Sequence, residues 1–303
     1  MALAQTAPAP IPGLQYWERR TSAGHLVTGW RSQPSGRPVV HFIHGNGYNS
    51  LVYLPLLERL ALDYDLFLSD VQGHGASEEN GEFLGWNRTS ELCEETWRAF
   101  AHLWEGQRHY AMGHSFGGIM SLLMMERDPD LFDRAVLLDP IIFSRRMLWV
   151  MRIGTWLGLW QNNGFSKKTR QRRREWPDRA TALESLEGRG MFRGWTPEAL
   201  QAYVDHALEE QDGQVVLRCP PELEAAIFAG YPRGLWRAMK RLQTPTQVIH
   251  GDTTYDFVRD SVARWVAFNG HVGAETLPGG HCFMQQAPVS TVERVRAALA
   301  AAQ

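Results

Sequence analysis

Between Tyr16 and Asp139, short apolar or β-branched runs alternate with stretches of helical spacing, and this rhythm constrains the fold more than any other feature. Tyr16–Arg20 and Leu26–Arg31 read as an opening pair of strands. Val39–Ile43, Asp65–Ser69, His109–Met112 and Arg134–Leu138 read as four more. Leu54–Leu62, Ser90–Trp104 and Phe116–Arg127 carry helical spacing and fill the intervals. Parallel strands need crossovers of roughly a dozen residues or more, often helical, and these intervals supply them. The pattern therefore predicts an α/β fold with a mostly parallel sheet flanked by helices. From Pro140 to about Lys240 the strand signals vanish and Trp, Arg, Met and Gly dominate, with helical stretches at Pro197–Leu208 and Glu222–Ala229. The alternation resumes with Thr246–His250, Phe257–Phe268, Ala274–Leu277 and Ser290–Ala302. One core in two segments, 1–139 and 241–303, split by a helical insertion at 140–240, accounts for the chain.

Composition removes several classes. The 303 residues are 44% hydrophobic, enough for a full core, so wholesale disorder is excluded. A formal net charge of −2 argues against a dedicated nucleic-acid binder. Cys93, Cys219 and Cys282 are far apart and form no CxxC pair, which indicates neither a disulfide framework nor a zinc knuckle. The N-terminus lacks the basic and apolar regions of a signal peptide, and a reducing, cytoplasmic location is the expectation. Pro8, Pro10 and Pro12 suggest an extended surface leader. No run reaches the roughly 18 apolar residues of a membrane span. Met147–Trp160 comes nearest, but it is short and carries Arg152.

The sharpest motif is Gly113-His114-Ser115-Phe116-Gly117-Gly118, a G-x-S-x-G set between a predicted strand and a predicted helix. A serine on such a turn is lifted clear of the sheet. Flanking glycines are needed because strand and helix approach too closely for side chains. The backbone N–H of Phe116, at a helix start, then faces the place where negative charge would develop on an attacked carbonyl.

With this motif the chain resembles the α/β-hydrolase superfamily over nearly its whole length. Four landmarks stand in the family's order: His44-Gly45-Asn46-Gly47 after the third strand, Asp70–Ser77 after the fourth, the turn at Ser115 after the fifth, and Gly279-Gly280-His281 after the last. The resemblance implies an eight-stranded sheet with an inserted helical cap. It also implies Ser115 as nucleophile, His281 as general base and an oxyanion hole from the backbone N–H groups of Asn46 and Phe116. The family's usual acid position, after the seventh strand, is here Thr254. Asp139, at the end of the sixth strand, is the preferred substitute, since some relatives, certain haloalkane dehalogenases among them, place their acid there. Asp256 and Asp252 are the alternatives. Asp139 before Pro140 is equally compatible with an ordinary turn role. His41 and His44 form H-x-x-H, but residues three apart on a strand face opposite sides, so no metal site is expected.

A serine nucleophile implies acyl transfer and disfavours dehalogenation and epoxide opening. Ser, His, Asp and water suffice, so no cofactor is expected. The insertion is rich in large apolar groups, and Phe143, Trp149 and Trp156 are candidates to line a pocket for a lipophilic ester. The expectation is a serine esterase of lipase-like type acting on a small lipophilic molecule. C–C bond hydrolysis, thioester hydrolysis and slow-turnover ligand sensing stay open. The basic run Lys167–Arg174 reads either as a solvated helix face or as a site for anionic head groups, membrane surfaces or acidic substrates.

Overall fold

A computed structural model describes residues 9–301. Its centre is an eight-stranded sheet. The strands are β1 (Leu14–Arg20), β2 (Leu26–Ser32), β3 (Val39–Ile43), β4 (Asp65–Asp70), β5 (His109–His114) and β6 (Arg134–Leu138). The insertion holds β7 (Glu175–Trp176), β8 (Leu208–Gln211) and β9 (Gln214–Leu217), and the main sheet ends with β10 (Thr246–Gly251) and β11 (Val272–Leu277). The spatial order of the main sheet is β1-β2-β4-β3-β5-β6-β10-β11. β2 runs antiparallel to both neighbours, and all pairs from β4 to β11 are parallel.

The helices are α1 (Leu54–Leu60), α2 (Trp86–Ala101), α3 (Phe116–Arg127), α4 (Arg145–Trp156), α5 (Gly164–Arg170) and α6 (Arg179–Leu186). They continue with α7 (Pro197–His206), α8 (Pro221–Ala229), α9 (Leu235–Arg241), α10 (Asp256–Phe268), α11 (Phe283–Gln286) and α12 (Pro288–Ala300). Every residue of β3 is buried, as expected of a strand covered on both faces. Its alternate side chains feed two cores. Val39 and Ile43 join α2, α3, α9 and α10 on one side. Val40 and Phe42 join α1 and α12 on the other.

The insertion is not purely helical. β7, β9 and β8 form a small antiparallel sheet. Its hairpin turns at Asp212-Gly213, both with positive φ (50° and 79°). Asp-Gly is the favoured pair for such a turn, so the signal was present in the sequence. The insertion is also continuous with the core. Phe192, Trp195 and Tyr203 pack in one cluster with Leu56 and Tyr53, and α9 packs against α3 and α10. Of the expected N-terminal leader, residues 1–8 lie outside the described residues. Pro10 and Pro12 flank a bend that buries Ile11. Among the described residues no helix is long and apolar enough to cross a membrane.

Candidate active site

Register brings the candidate residues to one edge. Ile43 pairs with Gly113, His114 with Leu138, and Leu138 with Ile249, so β3, β5, β6 and β10 end together. Ser115 and Asp139 each begin the loop one residue beyond these pairs. The carboxyl ends of parallel strands are where such sheets open a crevice.

Ser115 adopts φ 52° and ψ −112°, a backbone conformation rare for a side chain larger than glycine's. Its neighbours show why the turn needs glycine. A Cβ on Gly113 would lie 2.4 Å from the Gly117 carbonyl oxygen, and one on Gly117 would lie 2.1 Å from that of Ile43. Ser115 N–H donates to the Leu138 carbonyl at 3.0 Å, fixing the turn to the end of β6.

His281 Nε2 lies 2.9 Å from Ser115 Oγ, and its Nδ1 lies 2.7 Å from Asp139 Oδ1. Asp139 is fully buried, with φ 42°. It accepts two further hydrogen bonds: Gly251 N–H to Oδ2 at 2.9 Å, and the Thr254 hydroxyl to Oδ1 at 2.7 Å. Thr254, which stands where the family's usual acid would, therefore donates to the carboxylate that faces His281. Sequence reasoning missed this role. The structure does not bring Asp256 to the site: it is exposed and paired with Arg259 on the surface. Asp252 faces the loop that carries His281 and accepts the Gly279 N–H at 2.8 Å.

Phe116 opens α3, so its N–H has no acceptor one turn back in the helix. Asn46 sits in the loop after β3. Its side-chain amide donates to the Glu224 carbonyl at 3.1 Å, so it is already engaged. The loop is held by buried neutral imidazoles. His44 Nδ1 donates to the Gly45 carbonyl, and its Nε2 accepts the Val71 N–H. His74 Nε2 accepts the Gly47 N–H at 3.0 Å. Burial lowers His44 to about 4 and His74 to about 3. His41 faces the other side of β3, against Ser69 and Trp97, so it and His44 do not converge.

His114 joins this loop to the loop that carries His281. Its Nε2 donates to the His281 carbonyl at 3.0 Å, and its Nδ1 accepts the Tyr53 hydroxyl at 2.6 Å. The Tyr53 oxygen in turn accepts the Gly45 N–H at 3.1 Å. Burial holds His114 well below the ordinary value, with His281 adding to the effect. Beside Gly47 lies the Glu224 carboxylate, paired with Arg172 at 2.5 Å. Arg172 also donates to the Tyr203 hydroxyl at 2.9 Å. Burial raises the Cys282 thiol, next to His281, to about 12, so it is no competing thiolate.

The insertion places its aromatic candidates unequally. Phe143 is buried, stacked on Phe257 and edge-on to Trp86. Trp149 and Trp156 are 64% and 83% exposed, and this corrects the expectation that they line a pocket. Helix geometry explains it: α4 buries Met151, and Trp149 lies two residues, about 200°, round the helix from it.

The fold and the converging Ser115, His281 and Asp139 define an α/β hydrolase. Within that class, the model of the serine aminopeptidase, S33 family matches residues 34–265, and the chain belongs to this family. A stretch of 133 residues is 29% identical to 2-(acetamidomethylene)succinate hydrolase of Mesorhizobium japonicum. That stretch spans 43% of this chain and 45% of the relative, less than half of each. The crystal structure of E-2-(acetamidomethylene)succinate hydrolase is similar over 95% of this chain and 100% of that one, with TM-score 0.75 and 20% identity. An esterase of Mycobacterium tuberculosis is similar over 98% and 95%, with TM-score 0.69 and 21% identity. At these identities the two structures speak for the fold.

Proposed function

We propose that the chain is a serine esterase that cleaves a carboxylic ester with a lipophilic part through an acyl-enzyme. The observation that carries this reading is the unbroken line from Ser115 Oγ through His281 to buried Asp139, at 2.9 Å and 2.7 Å. Ser115 attacks the acyl carbon as His281 Nε2 takes its proton, and the Asp139 carboxylate stabilises the imidazolium. The N–H groups of Phe116 and Asn46 receive the developing oxyanion. His281 returns the proton to the leaving alcohol, then activates the water that releases the acid. On this reading 1–139 and 241–303 form the catalytic core, and 140–240 covers it as a cap.

The relative's name favours a second reading, a substrate carrying an acylamino group and two carboxylates. Against it stands Arg172, the half-buried guanidinium near the loop after β3. Glu224 already neutralises it, which favours an uncharged substrate. Treatment with a fluorophosphonate, read by intact mass, tests the nucleophile: one adduct on the parent chain and none on Ser115→Ala is the expected result. Adducts on both, or on neither, would overturn it. A series of p-nitrophenyl esters against an acetamidomethylene dicarboxylate then separates the two substrates.

A further inference from the structure

We propose that the outward face of the insertion around α4 docks on an anionic lipid bilayer. From Pro140 to Arg174 the chain carries nine Lys or Arg residues and no Asp or Glu, in a protein whose net charge is −2. Eight of the nine are exposed, and Arg172 is the exception, turned towards Glu224. The same stretch concentrates exposed apolar bulk. Of twelve large hydrophobic side chains exposed among the described residues, six lie between 149 and 165. They include Trp149, Trp156, Leu159 and Phe165, at 64%, 83%, 73% and 59% exposure.

The two chemistries share one stripe. Arg145, Trp149, Arg152 and Trp156 follow at i, i+4, i+7 and i+11, within about 60° of arc on a helix of 3.6 residues per turn. All four are exposed, while Met147 and Met151 on the opposite side pack into the core. The turn at 160–162 packs against both α4 and α5, so the stripe is joined to the basic run Lys167–Arg174. Indole rings settle at the head-group level of a bilayer, and Lys and Arg beside them pair with anionic head groups. A water-soluble protein partner would also have to match a stretch, 140–174, that contributes nine cations and no carboxylate of its own. The bilayer satisfies both components at once, with phosphates for the cations and the acyl boundary for the indoles. The docking is independent of the proposed ester chemistry.

The test is co-sedimentation of the full chain with vesicles of phosphatidylcholine alone, and with vesicles in which part of it is replaced by phosphatidylglycerol. Binding is expected only to the anionic vesicles, weakening steeply as salt is added. Trp156→Ser and Arg152→Glu each lower the bound fraction, and together they reduce affinity by about tenfold or more. Both sites are on the surface, so the far-UV circular dichroism and Tm of the variants stay at parent values. No binding to anionic vesicles, or binding unchanged in the double variant, would overturn the proposal. A dimer seen by light scattering that Trp156→Ser dissolves would assign this face to a second copy instead, and would equally overturn it.

Discussion

Asp139→Asn gives the sharpest test of the site, because the structure dictates how asparagine must sit. The carboxylate receives three donors: Gly251 N–H at Oδ2, and the Thr254 hydroxyl and His281 Nδ1 at Oδ1. An asparagine has one acceptor oxygen and one NH2. Gly251 N–H is fixed in the backbone and can only donate, whereas the Thr254 hydroxyl can rotate to accept and the imidazole can change tautomer. The amide oxygen therefore faces Gly251 and the NH2 faces His281. Nδ1 must then accept, the proton moves to Nε2, and Nε2 can no longer take the Ser115 proton. The lost charge adds to this. A carboxylate about 4 Å from an imidazolium centre is worth about 4 kcal/mol at an effective dielectric of about 20. Together the two effects predict a fall in kcat of about 10⁴, or about 5.5 kcal/mol of barrier. The assay is steady-state and burst kinetics on a p-nitrophenyl ester, with Tm as the control for folding. Asp256→Asn, altering an exposed surface pair, should stay within about twofold of the parent. Turnover within tenfold of the parent in Asp139→Asn, with a collapse in Asp256→Asn, would refute the assignment.

Other perturbations have equally definite signs. Thr254→Val removes one donor from the buried carboxylate, a charge-assisted bond of about 1.5–3 kcal/mol, and should lower kcat about tenfold with KM unchanged; unchanged kcat would show the bond to be idle. Burial lowers His41 and His74 to about 3, His44 to about 4 and His114 well below 6.5. Their stabilisation is full above the unfolded value near 6.5 and is lost as pH falls below it. Asp70, raised to about 6 by burial, acts in the opposite sense, gaining as pH falls through 6. Burial also lowers His206 and raises Glu224, and five imidazoles outweigh two carboxyls, so unfolding free energy should drop by on the order of 5 kcal/mol between pH 7 and pH 5, read from urea titrations. Arg172→Met strands Glu224, whose side chain is 4% exposed, and should cost about 3 kcal/mol in the same assay. Arg172→Met with Glu224→Leu should recover most of that loss, and a double variant as unstable as the sum of the singles would contradict it.

The sheet was legible because its central strands, β3, β4, β5, β6 and β10, are buried on both faces and read as largely apolar runs. β3, α3 and β6 have the bounds the sequence predicts, and most other core elements differ by one to four residues at their ends. The insertion was harder to read for a physical reason. Its strands are short and largely polar, as in Leu208–Gln211, where only Leu208 is buried. Such a strand gives no apolar run, and only the Asp212-Gly213 turn marks it. Surface against pocket was illegible for Trp149 and Trp156, because composition says nothing of rotation about the helix. The spacing to Met147 and Met151 would have decided it, had those methionines been chosen as the buried stripe.

The site shows where sequence reasoning stops for a different reason. Ser115 and His281 can be read locally, each from its own loop. The acid cannot, because its function is a property of two strand ends at once. β6 and β10 are neighbours in register, Leu138 beside Ile249, so the residues after them share one small volume behind His281. That volume holds one carboxylate, and either strand can supply it. Here β6 supplies Asp139, and β10 supplies Thr254 and the Gly251 N–H, which satisfy the oxygens left over. A second aspartate at 254 would set two buried carboxylates against each other, which a low-dielectric site does not hold as a charged pair. Threonine at 254 is thus the complement of the aspartate at 139. A chain with the acid on β10 would be expected to carry a neutral donor or a small residue at the end of β6.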